Sequence, residues 1–212
     1  MVSKIIIAHE LGHLLMAILY EKEEYATSMQ LTPDGSTVAC VNFEGWENLA
    51  VVDNNIARLK GNSYLGGIFG ELAWYDRFNI WGIRCDLDEF LTENRYLGNE
   101  KHYRRSRAKI VHELFGWFYS DSDEWSFGGR SKLWFTCPRA VRGARLSSKR
   151  VKERLPITWK LYQKFLSCID LAEFKTVVNE IHDKKSKIVP ARSLRKYAKR
   201  IIPITVMHPE DI

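Results

Sequence analysis

The sequence predicts a mainly α-helical protein with a small β-hairpin, and three observations lead there. Residues 5–20 form an apolar run at helical spacing, and residues 28–43 alternate around a Pro-Asp-Gly turn. Most segments beyond Gly98 return to a helical period.

Taken in order, Ser3 is placed to cap a helix running to about Tyr20. Its residues Ile6, Ile7, Leu11, Leu14, Leu15 and Ile18 cover most of the circumference, so burial is expected on nearly all sides. SMQLTPDGSTVACVNF reads as two strands around Pro33-Asp34-Gly35, with Val38 and Cys40 alternating with polar neighbours. From Glu47 to about Phe78 the pattern is helical, broken near Gly61 and entering a second helix at Gly66-Gly67. Asn79 to Cys85 reads as a loop, and Asp86 or Asp88 is placed to open the helix DLDEFLTENRYL. HYRRSRAKIVHELFGWFYS and TWKLYQKFLSCIDLAEFKTVVNEIHDKK are helical in pattern, while residues 120–148 between them show no assignable period. The tail PARSLRKYAKRIIPITVMHPEDI reads as a short basic helix followed by an extended end. There is no internal repeat.

A chain of 212 residues, 45% hydrophobic and 27% charged, has room for a true core and the composition of an ordinary globular protein. Cys40, Cys85, Cys137 and Cys168 lie far apart without C-x-x-C spacing, and read as reduced thiols of a cytoplasmic protein. The apolar run at 5–20 holds two histidines and a glutamate, and acidic EKEE follows it. A membrane span needs about 20 apolar residues with few charges, and a signal peptide needs a small-residue cleavage site. Neither fits, and a soluble chain without a membrane span is expected. Residues 1–100 hold 7 Lys/Arg against 15 Asp/Glu, whereas residues 101–212 hold 25 against 11. The chain therefore divides into a first unit, 1–98, and a basic, mainly helical region, 99–212, which either stands apart or packs onto the first.

The chemistry concentrates in His9-Glu10-Leu11-Gly12-His13. Residues four apart on a helix share a face, so His9 and His13 can each turn an imidazole nitrogen to one zinc ion at about 2.0–2.1 Å. Zinc lowers the pKa of a water it holds to about 7, and Glu10 is placed to take that water's proton and pass it to a leaving amine. Two histidines and a glutamate on an otherwise apolar helix would be costly without such a role. His112-Glu113-Leu114-Phe115-Gly116 begins the same way but has glycine where the second histidine belongs, and is no site. A catalytic zinc takes a third protein ligand and keeps one position open. The metzincin continuation is excluded, because Met16 and Leu19 stand where it requires glycine and histidine. The remaining candidates are Glu71, Asp76, Asp86, Asp88 and Glu89.

Four segments in order resemble the peptidase domain of the FtsH-type ATP-dependent zinc proteases. HELGHLLMAIL is similar to that family's HEAGHA helix, and MQLTPDGSTVACV to its strand-turn-strand element. LGGIFGEL resembles the LGGRxAEE helix start, with Gly66, Gly67 and Glu71 in place, and GIRCDLDEF stands where the family has G-A-S-N-D. The resemblance covers about residues 4–95 and implies a helical zinc metallopeptidase domain. It implies His9, His13 and Asp86 as metal ligands, with Asp88 in reserve, and Glu71 as a carboxylate orienting a ligating histidine. It also implies that an extended substrate pairs with an edge strand, for which the 28–43 hairpin is the candidate. The departures are Ile68 for arginine, Gly70 for alanine, Leu72 for the second glutamate and Cys85 for the asparagine before the ligand.

No G-x-x-x-x-G-K-[ST] is present, since Gly128-Gly129-Arg130-Ser131-Lys132 lacks the spacing. The expectation is a stand-alone zinc endopeptidase cutting unfolded or extended protein segments, unaided or fed by a separate ATPase partner. The alternative is a zinc-holding regulatory protein without turnover, whose basic half engages an acidic partner or nucleic acid. A repressor-cleaving peptidase class also uses HELGH, but would take a glutamate from a helix soon after, and the Gly66-Gly67…Asp86 series argues against it. Basic stretches at Arg104–Lys109, Arg139–Arg154 and Lys196–Arg200 read as solvated faces in preference to a nucleic-acid site, because no RNP-like, helix-turn-helix or zinc-finger pattern accompanies them. The aromatics Trp117, Phe118, Trp125, Phe127, Trp134 and Phe135 read as core.

Overall fold

The computed structural model describes residues 2–19, 26–31, 40–43, 65–79, 145–185 and 187–203. Six helices and five short strands are found there. Helix α1 (Lys4–Leu19) begins where the Ser3 carbonyl accepts from the Ile7 N–H at 3.2 Å, the bond that opens a helix. Twelve of its residues are buried, histidines and glutamate included, as expected of a helix apolar nearly all round.

Strands β1 (Ala26–Gln30) and β2 (Cys40–Phe43) pair antiparallel, with Met29 opposite Val41 and a register shift between Ala26 and Ser28. Their connection, with the Pro33-Asp34-Gly35 turn, lies outside the described residues. Helix α2 (Leu65–Tyr75) follows, and ends three residues earlier than the periodicity suggests. Asp76 takes a left-handed φ of 57°, a conformation that aspartate tolerates and that stops a helix. The next residues form β3 (Arg77–Asn79), paired antiparallel with β4 (Arg145–Ser147). Phe78 therefore belongs to a strand, not to the helix, and Asn79 to that strand rather than to a loop. The pairing strand comes from far along the chain, so local periodicity carries no sign of it.

Ser147 caps α3 (Ser148–Arg154) by accepting from the Arg150 N–H, and Pro156 opens α4 (Pro156–Ser167) at a position where its missing N–H costs nothing. The helical pattern from Thr158 onward splits at Cys168–Asp170. There the Asp170 carboxylate accepts from the Glu173 N–H at 2.9 Å and starts α5 (Leu171–Asp183). Strand β5 (Ile188–Pro190) leads into α6 (Ala191–Ile201), the short basic helix of the tail. Both α5 and α6 bury an i, i+3, i+4, i+7 stripe: Phe174, Val177, Val178 and Ile181 in one, Leu194, Tyr197, Ala198 and Ile201 in the other.

One hydrophobic core takes in α1, β1 and α2 from the first half and α3 to α6 from the second. Phe69 of α2 packs on Tyr162 and Phe165 of α4 at ring separations of 5.8 and 5.6 Å. Lys4 at the start of α1 donates to Asn179 of α5 at 2.6 Å. β5 pairs with the free side of β1, so the sheet order is β2-β1-β5 and β1 lies in the middle. The described parts of the acidic and basic halves are thus joined by backbone hydrogen bonds as well as by side-chain packing. Among the described residues no helix is long and apolar enough to cross a membrane.

Candidate metal centre

The site begins with how closely α1 and α2 approach. A Cβ built on Gly12 would lie 2.0 Å from the Gly66 carbonyl oxygen, and one on Gly66 would lie 2.4 Å from the Gly12 oxygen. A Cβ on Gly70 would lie 2.0 Å from the Ala8 oxygen. Gly66 and Gly70 share one face of α2, Ala8 and Gly12 one face of α1, and the two backbones touch along that seam. Alanine at position 70 would collide with the α1 backbone, so glycine is what this helix pair accepts.

Close approach brings Glu71 of α2 against His9 of α1. The His9 Nδ1–H donates to Glu71 Oε1 at 2.8 Å, and both side chains are buried. A carboxylate on Nδ1 fixes the tautomer and leaves the Nε2 lone pair pointing away from Glu71. His9 Nε2 faces His13 Nε2 at 3.1 Å, with the rings edge to face at 79°. Two imidazole lone pairs that close repel unless a proton or a cation lies between them. Two nitrogens bound to one tetrahedral zinc at 2.0–2.1 Å stand about 3.3 Å apart, so the observed spacing suits either occupant.

Gly67 lies over this point. A Cβ there would come within 2.4 Å of His9 Cε1, 2.6 Å of His9 Nε2 and 2.8 Å of His13 Nε2. The second glycine of LGG thus leaves the space in which the two imidazoles converge. Its importance could have been suspected from Gly66-Gly67 opening a helix, yet nothing local to it shows which side chains fill the gap.

The remaining candidates divide. Glu10 is buried on α1 beside His9. Glu71 meets the His9 ring at Nδ1, the nitrogen that does not face His13, which suits orientation of the ring better than ligation. Asp76 is exposed and accepts hydrogen bonds from Ser148, through its carboxylate from the hydroxyl and through its carbonyl from the N–H at 3.1 Å. It ties the end of α2 to the start of α3. Among the described residues no three His, Cys, Asp or Glu side chains gather as a metal-binding group. Asp86, Asp88, Glu89 and Cys85 lie outside the described residues.

Comparisons with protein-family models, curated proteins and solved structures find no match to this chain. The chemistry of the site therefore rests on its own residues.

Proposed function

We propose that the chain is a zinc metallopeptidase of the FtsH-type kind, hydrolysing peptide bonds of unfolded or extended protein segments. The observation that carries this reading is the convergence of His9 and His13 Nε2 at 3.1 Å, with His9 held from behind by Glu71. A carboxylate–histidine pair aimed at a second histidine is the usual support of a zinc ligand. His9 and His13 would hold the metal, with Asp86 as the third ligand that the sequence resemblance implies.

Zinc in such a site supplies Lewis acidity and lowers the pKa of a bound water to about 7. Glu10 supplies the proton transfer: its carboxylate takes up a proton as the scissile carbonyl is attacked and returns it to the departing amine nitrogen. Burial of Glu10 in an apolar helix keeps bulk water from competing for that proton. Glu71 holds the His9 ring in one tautomer throughout.

Substrate docking follows from the sheet. Both sides of β1 are paired, so among the described residues the expected edge in the 28–43 hairpin falls to β2, which lies against α1. An extended segment adding to β2 would gain backbone hydrogen bonds without regard to its sequence. The test is Glu10→Gln assayed on casein together with zinc content. Loss of cleavage with zinc retained is expected, and full activity in that variant refutes the assignment.

A further inference from the structure

Every exposed residue of α6 is a cation: Arg192, Arg195, Lys196, Lys199 and Arg200. Arg200 is neutralised. Its guanidinium pairs with Glu180 at 2.6 and 3.0 Å and with Glu173 through Nε at 2.6 Å. The other four have no ion pair among the described residues, and the helix contains no acidic residue. Their spacing is i, i+3, i+4 and i+7, which places them in one stripe. With a rise of 1.5 Å per residue the stripe is about 10 Å long.

We propose that this stripe is a binding surface for the phosphate backbone of nucleic acid, read without regard to sequence. Four like charges that have no ion pair among the described residues repel one another on one short helix, and a partner of regularly spaced negative charge relieves that cost. Duplex DNA carries one charge per about 1.7 Å of axis, so roughly six phosphates span the stripe. The other polyanionic partners fit less well. Protein interfaces have an apolar centre and are depleted in lysine, and this face exposes no apolar side chain. Membrane-surface helices insert an apolar face, but Leu194, Tyr197, Ala198 and Ile201 are buried in the core. The stripe involves none of the residues assigned to the metal centre, so it stands or falls separately from the peptidase reading.

The experiment is fluorescence anisotropy of a labelled 30-base-pair duplex of mixed sequence titrated with the full chain at several salt concentrations. The quadruple variant Arg192→Gln, Arg195→Gln, Lys196→Gln, Lys199→Gln is compared with Lys149→Gln, Lys152→Gln, Lys160→Gln, Lys175→Gln, which removes the same charge from exposed positions elsewhere. Each phosphate contact contributes about 0.9 to the slope of log K against log salt, so the α6 variant should lose about 3 to 4 units. The control should lose less than about one. Arg195→Gln alone should lose close to one, with unchanged circular dichroism. Absence of duplex binding by the parent chain, equal loss in both quadruple variants, or tighter binding to polyglutamate or to phosphatidylserine vesicles than to the duplex would each overturn the proposal.

Discussion

Replacing Gly67 by alanine tests the proposed metal binding separately from folding, at a single atom. The added Cβ would stand 2.4 to 2.8 Å from His9 and His13 ring atoms, and ordinary contact begins near 3.4 Å. Relief therefore requires shifts of about 0.6 to 1.0 Å at the imidazoles, several times the roughly 0.2 Å tolerance of metal–ligand distances. The obstructing atoms are the ends of side chains, so the rings can swing aside while the backbone stays in place. Overpacking costs about 1–3 kcal/mol, and alanine in place of glycine within a helix returns about 1 kcal/mol. A net destabilisation of about 0–2 kcal/mol is expected. Zinc affinity should fall by more than the 10–100-fold typical of lost ligand support. Competition against a chromophoric chelator reads the affinity, and thermal melting of the metal-free chain reads the stability. A folded Gly67→Ala protein that binds zinc as tightly as the parent would refute the placement of the metal between His9 and His13.

Gly70→Ala should behave in the opposite way. Its Cβ would strike the Ala8 backbone oxygen at 2.0 Å, so the helices must separate, and stability should drop by about 3 kcal/mol or more in denaturant unfolding. Glu71→Gln keeps the shape but weakens the hold on His9 Nδ1, and chelator competition should show zinc affinity lower by about 10–100-fold with little change in melting. Tyr162 supplies a pH dependence. Burial, with a contribution from the Asp76 carboxylate, raises its phenol well above the ordinary value of 10.0. The unfolded chain then ionises first, so the stabilising contribution is complete below about pH 10 and is lost as pH rises from there toward the folded value. Tyr162→Phe should flatten the decline of melting temperature above pH 10, and an unchanged decline would exclude Tyr162 as its source.

Much of the helical framework was legible because its causes are local. The apolar circumference of α1, Pro156 at the head of α4 and the i, i+3, i+4 stripe of α6 all lie within a few residues of what they determine. The β1–β2 pair was legible for the same reason, since alternation and a turn signal adjoin each other. The misreadings fell where a distant segment decides. Arg77 and Phe78 continue a helical period and Asn79 reads as the start of a loop, but all three pair with Arg145–Ser147, and Asp76 holds Ser148 across the same gap. β5 had no signature strong enough to read, being three residues long and held by β1 from 158 or more positions away.

For the candidate site, the motif is local and visible in the sequence: two histidines four apart with a glutamate between them, on an otherwise apolar helix. The sequence also placed Gly66, Gly67 and Glu71 in one short segment, though not against anything. That α1 and α2 meet backbone to backbone through Gly12, Gly66 and Gly70 is visible only once the helices are packed. That contact brings Glu71 to the back of His9 and leaves Gly67 open above the two nitrogens. The reason is physical. Helical spacing sets which side chains share a face, but the distance between two helices depends on which atoms are missing from both.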